Sequence, residues 1–166
     1  LRVPGPWDPF ELAVRAVLGQ QVTLVAARRL AGKLVAACGE PLTSGAGAGL
    51  TRVFPRPARI ATEDFALGMP RSRVATLRAV AAAAVSDPSF FDAGGGGDGD
   101  PNQKLAQLRE LPGIGEWTAQ YIAMRAWREP DAFPAADLGL RRAMAGESRV
   151  RPTPAALLAH AERWRP

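Results

Sequence analysis

The chain has 166 residues, 47% of them hydrophobic, which is enough to build one domain or two small helical lobes sharing a cleft, and its Ala- and Leu-rich make-up favours helix packed on helix. The formal net charge is +5 with a pI near 10.6, carried almost wholly by arginine since Lys33 and Lys104 are the only lysines; this suits a polyanionic partner, although GC-rich coding yields a similar composition. Cys38 as the one cysteine excludes a disulfide framework and an all-cysteine metal or iron–sulfur site within the chain, His160 as the one histidine excludes a His metal cluster and a Ser-His-Asp triad, and with no signal peptide or long apolar span a soluble cytoplasmic protein is the expectation.

Asp8-Pro9-Phe10-Glu11 reads as a helix start, with Asp8 as N-cap, Pro9 at the first position and Glu11 at the third. Phe10, Ala13, Val14 and Val17 then form an apolar stripe up to Leu18. Gly19-Gln20-Gln21-Val22 breaks that helix, Thr23 caps the next, and Gly39 ends it after Cys38. Two amides beside a glycine between apolar helices are either a plain surface turn or part of a site. Gly39 to Thr51 reads as a loop, and Pro55 to Phe65 as one short helix and the start of another. Pro70-Arg71-Ser72 opens a helix with Val74, Leu77, Val80, Ala81 and Ala84 on one face; Arg71, Arg73 and Arg78 on it suit a solvated face or a DNA contact. Asp92 to Asp100 (DAGGGGDGD) is a low-complexity connector without the spacing of a calcium loop.

Asn102 to Glu110 is a short amphipathic run with Leu105 and Leu108 at helical spacing, followed by Leu111-Pro112-Gly113-Ile114-Gly115 and a second helical run, Thr118 to Trp127. Pro112 stops the first helix, the two glycines allow positive φ and close approach of backbone to a ligand, and Ile114 plugs the two helices together. The unpaired N–H groups that open the second helix suit a phosphate. Trp117 and Tyr121 share a face of that helix at i, i+4, as core residues or as pocket walls. Twenty residues beyond Trp117, Phe133-Pro134-Ala135-Ala136-Asp137 leads into Leu138-Gly139-Leu140-Arg141-Arg142, with Asp137 placed as a helix N-cap. Thr153-Pro154 caps a last helix whose buried side is expected to hold Leu157, Leu158, Ala161 and Trp164.

The glycine hairpin with a Pro-x-x-Asp at that distance resembles the helix-hairpin-helix DNA glycosylases. Trp117-Thr118-Ala119-x-Tyr121, Pro4-Gly5-x-Trp7-Asp8-Pro9-Phe10-Glu11, Gly19-Gln20-Gln21-Val22 and Ala66-Leu67-Gly68-Met69-Pro70 are similar to the alkylbase branch, the 3-methyladenine DNA glycosylase II enzymes. The resemblance runs through nearly the whole chain, and implies an all-α fold of two helical lobes around a cleft, with the hairpin in 102–127 and the catalytic loop and helix in 133–146. Against the family pattern, the chain looks like a fragment lacking an N-terminal domain and a last helix that bears a pocket tryptophan.

The activity so implied is hydrolysis of the N-glycosidic bond of alkylated purines, such as 3-methyladenine and 7-methylguanine, after the base is flipped out of duplex DNA. Asp137 matches the family's catalytic aspartate. Trp117, Tyr121 and Gln20 match its base pocket, Gln21 the wedge that fills the gap left by the base, and Gly113, Ile114, Gly115 and Thr118 its DNA-binding hairpin. Trp117 stands where relatives that also cut the backbone carry a nucleophilic lysine, which implies a monofunctional enzyme. No cofactor is implied and no metal is held by side chains; a monovalent cation at the carbonyls of Arg109, Leu111 and Ile114 is. The implied setting is a monomer on bacterial nucleoid DNA, preceded by or fused to another domain in a longer protein. Two rivals remain open: a non-catalytic DNA-binding module, and a monofunctional glycosylase for uracil or a deaminated purine.

Overall fold

The protein is described here by a computed structural model covering residues 3–42, 49–93, 100–146 and 149–165. Eight α-helices are resolved in it: α1 (Pro9–Leu18), α2 (Leu24–Cys38), α3 (Pro57–Thr62), α4 (Arg71–Ser86), α5 (Pro101–Glu110), α6 (Glu116–Ile122), α7 (Leu138–Ala143) and α8 (Pro154–Ala161). Among the described residues there is no strand, only an isolated antiparallel bridge between Pro41 and Arg52, so the all-α expectation holds. No helix among them is long and apolar enough to cross a membrane.

The caps explain the helix starts. Asp8 accepts the N–H groups of Phe10 at 2.8 Å and Glu11 at 3.2 Å, and Thr23 accepts that of Ala26 at 3.2 Å. Glu11 does not reach back to complete a reciprocal box; its carboxylate pairs with Arg15 one turn on, at 2.6 Å.

Helix α1 is the hub. Its stripe (Phe10, Ala13, Val14, Val17, Leu18) is buried, and α2, α4 and α6 all pack on it. Leu34 and Cys38 of α2, Leu77, Val80 and Ala81 of α4, Leu105 and Leu108 of α5, and Ile114 between α5 and α6 close the same core.

Three expectations are corrected. Pro55 to Phe65 holds only α3: Glu63 is already extended, and Gly68 at φ +71° turns the chain before α4 begins at Arg71. The second hairpin helix starts at Glu116 and does not stay α-helical; Ala123–Trp127 forms a π-helical turn that ends at Arg128 in the left-handed region. On α8 only Leu157 of the expected face is buried, while Leu158 and Trp164 are 42% and 62% exposed. Periodicity defines a face but does not supply a partner, and α8 packs chiefly on the 3-10 turn that follows it, Glu162–Trp164. Most of the glycine-rich connector, residues 94–99, and part of the Gly39–Thr51 loop, residues 43–48, lie outside the described residues.

Candidate active site

The hairpin between α5 and α6 is braced from two sides. Gly113 adopts φ +80°, and a Cβ there would be driven into Thr76 Oγ1 of α4, with Thr76 Cβ and Cγ2 at 3.1 and 3.2 Å. From the α1–α2 turn, the Gln20 amide donates to the Gly113 carbonyl at 2.9 Å and to Thr118 Oγ1 at 3.1 Å. Ile114 is buried as the plug. Gly115 is the N-cap of α6 and offers no side chain, so no side chain caps the first N–H groups of that helix. A Cβ at Gly115 would meet nothing within 4 Å: the approach to the backbone there is open.

The structure brings Trp117, Tyr121 and Asp137 into one cluster. The Trp117 and Tyr121 rings stack at 5.2 Å between centroids and 14° between planes. Asp137 caps α7, its Oδ1 accepting the Leu140 N–H at 2.9 Å, and its Oδ2 accepts Trp117 Nε1–H at 2.8 Å. Both carboxylate oxygens are therefore held, one by the helix it caps and one by the aromatic pair. The cap and the site residue are the same group.

Gln20 lies against the hairpin, bonded to Gly113 and to Thr118, the residue next to Trp117. Gln21, next to it, is exposed and sits at φ +54°, a region that non-glycine residues seldom enter and that is over-represented at functional sites. Thr118, read as a DNA contact, is 3% exposed with its hydroxyl turned to Gln20; what it can present outward is backbone.

Three side chains that shape the site carried no signal in the sequence. Gln120 accepts the Phe133 N–H at 3.0 Å and donates to Glu116 at 3.0 Å, while Glu116 also pairs with Arg109 at 2.7 Å. This chain of contacts ties the loop that ends in Asp137 to the helix that carries Trp117. Arg125 lies on the π-helical turn with its guanidinium 6.0 Å from the Tyr121 ring centroid, and its Nε is buried with no hydrogen-bond partner. Thr76 is the third, under Gly113. A π-helical turn beside such a cluster fits the tendency of these bulges to occur at functional sites.

Lys33 donates to the Leu67 carbonyl at 3.3 Å and Lys104 lies on α5, so neither lysine joins the Trp117–Asp137 cluster. No group of His, Cys, Asp and Glu among the described residues is arranged to hold a metal. The carbonyls of Arg109, Leu111 and Ile114 are hard oxygen donors of the kind an alkali cation takes; that of Leu111 accepts the Ile114 N–H at 3.0 Å and keeps a second lone pair.

Residues 14–166 match the family model for HhH-GPD superfamily base excision DNA repair proteins. The chain belongs to this superfamily. Among curated HhH-GPD relatives, a Mycobacterium tuberculosis protein named "Probable bifunctional transcriptional activator/DNA repair enzyme AlkA" is 45% identical over 166 residues, covering 99% of this chain and 32% of that protein. The Escherichia coli "DNA-3-methyladenine glycosylase 2" is 36% identical over 170 residues, covering all of this chain and 56% of its own length. The chain thus spans 32% of one of these relatives and 56% of the other. Of solved HhH-GPD folds, the 3-methyladenine DNA glycosylase of Schizosaccharomyces pombe, in complex with abasic DNA, superimposes with a TM-score of 0.74 at 24% identity, covering 100% of this chain and 78% of that one. The Archaeoglobus fulgidus 3-methyladenine DNA glycosylase does so at 0.76 and 23% identity, covering 98% and 55%.

Proposed function

We propose that this HhH-GPD chain is a monofunctional glycosylase domain that releases alkylated purines from duplex DNA. The observation that carries the reading is the Asp137 carboxylate, held at 2.8 Å by an indole that itself forms half of an aromatic stack, on the helix that starts at the hairpin. The names of the relatives, 3-methyladenine glycosylase and DNA repair enzyme, support the substrate class.

The chemistry follows from charge. A purine alkylated at N3 or N7 is cationic, so electron-rich rings attract it by ~0.5–2 kcal/mol each. Tyr121 is faced by Trp117 on one side and approached by Arg125, and the half-buried Trp117 would take that contact on its face away from Tyr121. The C1′–N bond breaks with its electron pair passing to the base, which neutralises the base and leaves positive charge on the sugar. The ionised Asp137 stabilises that charge and orients the water whose oxygen bonds to C1′. The water's second proton passes to solvent, and the products are the free base and an abasic site. No lysine stands ready for a Schiff base, in keeping with hydrolysis alone.

Gly113, Ile114 and Gly115 would seat a phosphate on the backbone, Gln21 would wedge into the gap left by the base, and Gln20 would hold the hairpin at the pocket rim. A monovalent cation on the carbonyls of Arg109, Leu111 and Ile114 would add positive charge beside that phosphate. The domain acts as a monomer in the bacterial cytoplasm, joined in longer relatives to further segments. The test is release of free base from duplexes carrying 3-methyladenine or 7-methylguanine. Binding without release supports the non-catalytic rival, and release confined to uracil or hypoxanthine duplexes supports the other.

A further inference from the structure

The geometry points to a second phosphate-gripping element beside the hairpin: Ser72 and Arg73, in the first turn of α4, contact the DNA backbone next to the phosphate that the hairpin holds. This rests on the reading of the hairpin as a DNA contact. Thr76 fixes the placement, since it is 3% exposed and lies directly beneath Gly113, with its hydroxyl donating to the Ser72 carbonyl at 3.1 Å. Ser72 and Arg73 precede Thr76 by four and three residues, so they occupy the same helix face one turn nearer its start. Where Thr76 is covered by the hairpin, Ser72 is exposed and Arg73 half-buried, so that face emerges from under the hairpin at these two residues.

Two of the three arginines of α4, Arg78 and Arg73, then separate. Arg78 is committed to the fold: it donates to the carbonyls of Ala61 at 3.3 Å and Glu63 at 3.0 Å, pairs with Asp64 at 3.1 Å, and lies over Phe65. Arg73 makes no ion pair or side-chain hydrogen bond among the described residues, and the first turn of α4 holds no acidic residue to neutralise it. Across the hairpin, Glu116 is already taken by Arg109 at 2.7 Å. A guanidinium without a carboxylate, on the hairpin's own face and beside a free hydroxyl, suits a phosphate diester: planar donors and one positive charge against one negative. Two grips set apart on one strand would fix the duplex in direction as well as position, which a single phosphate contact cannot do.

The experiment is salt-dependent binding to an undamaged and a 7-methylguanine duplex by the full chain, comparing wild type, Arg73→Gln, Arg73→Lys and Arg56→Gln. Arg56 is the control because it removes the same charge from a residue paired with Glu40 at 3.4 Å. Losing one phosphate contact should flatten the log–log salt slope by about 0.9 for Arg73→Gln, on both duplexes alike. Arg73→Lys should keep most of the slope, and Arg56→Gln should leave both the slope and the single-turnover rate as in wild type. Ser72→Ala should weaken binding uniformly without altering the slope. A slope for Arg73→Gln equal to that of wild type overturns the inference, as does equal flattening by Arg56→Gln. A wild-type protein with no salt dependence refutes the DNA reading itself, which is a separate outcome.

Discussion

Replacing Gly113 by alanine should unfold the hairpin from its support before it disturbs any contact with DNA. Two costs add. At φ +80° an alanine is in a left-handed conformation, which costs ~1–2 kcal/mol for an L-residue. Its Cβ would also overlap Thr76 Oγ1 and press on Thr76 Cβ at 3.1 Å and Cγ2 at 3.2 Å. Overpacking of that kind costs ~1–3 kcal/mol. The total is ~2–5 kcal/mol, and at ~2–4 °C per kcal/mol for a chain of this size the midpoint should fall by about 10 °C. Thermal unfolding of Gly113→Ala, Thr76→Ala and the double variant separates the parts. Thr76→Ala removes Oγ1 and Cγ2 but leaves Cβ, so the double variant should recover part of the packing cost and none of the backbone cost. The cycle should show ~1–2 kcal/mol of favourable coupling. Additive effects would refute the contact between α4 and the hairpin, and with it the placement of Arg73. Gly115→Ala is the opposite case: its φ of −90° is ordinary and nothing stands within 4 Å, so stability should hold while binding weakens on damaged and undamaged duplex alike.

Asp137→Asn should lower single-turnover base release by about 100- to 1000-fold, the scale of losing one electrostatic contact in a transition state. Asn still caps a helix, so the midpoint should barely move, and DNA binding should stay the same or tighten; substantial excision by this variant would leave Asp137 as a cap alone. Trp117→Phe keeps a ring but loses the 2.8 Å donor, a hydrogen bond to a charged group worth ~1.5–3 kcal/mol, so the rate should fall about tenfold or more while DNA affinity is little changed. An unchanged rate would mean that the indole does not orient the carboxylate. Cys38 is fully buried and its thiol is pushed up by burial and then by the Glu63 charge, so thiol labelling at mildly alkaline pH should be far slower in the folded than in the denatured protein. Because the folded thiol keeps its proton into the range where the unfolded one loses it, this group's contribution to stability falls as pH rises through that range; equal labelling rates would contradict both statements.

What the sequence made legible was local. The Asp8 and Thr23 caps, the α1 stripe, the hairpin with its buried Ile114, and the i, i+4 pair Trp117 and Tyr121 depend on residues within a turn or two of each other. What it hid was tertiary. Nothing near Gln20 reveals that its amide meets a carbonyl and a hydroxyl nearly a hundred residues away. Thr76 and Gln120 read as ordinary polar residues on helices, and only folding puts one under Gly113 and the other against Phe133. Trp117 and Asp137 could each be singled out, but not the bond between them, because the chain between leaves its helix through a π-helical turn whose residues, Ala123–Trp127, look like any helix. The α8 face failed for the converse reason: its spacing was right, and Leu158 and Trp164 still face solvent.

The bond from Trp117 to Asp137 also bears on how such a pocket can diverge. On the function proposed above, an indole that offers its face to the base and its N–H to the carboxylate cannot be traded for a smaller residue to admit a bulkier lesion without loosening the carboxylate proposed to drive the reaction. Widening the pocket and keeping the rate are opposed at that one position. New lesion preferences would therefore arise more readily around Trp117 than at it, for instance at Tyr121 or at Arg125 behind it, where shape and charge can drift while the carboxylate stays held.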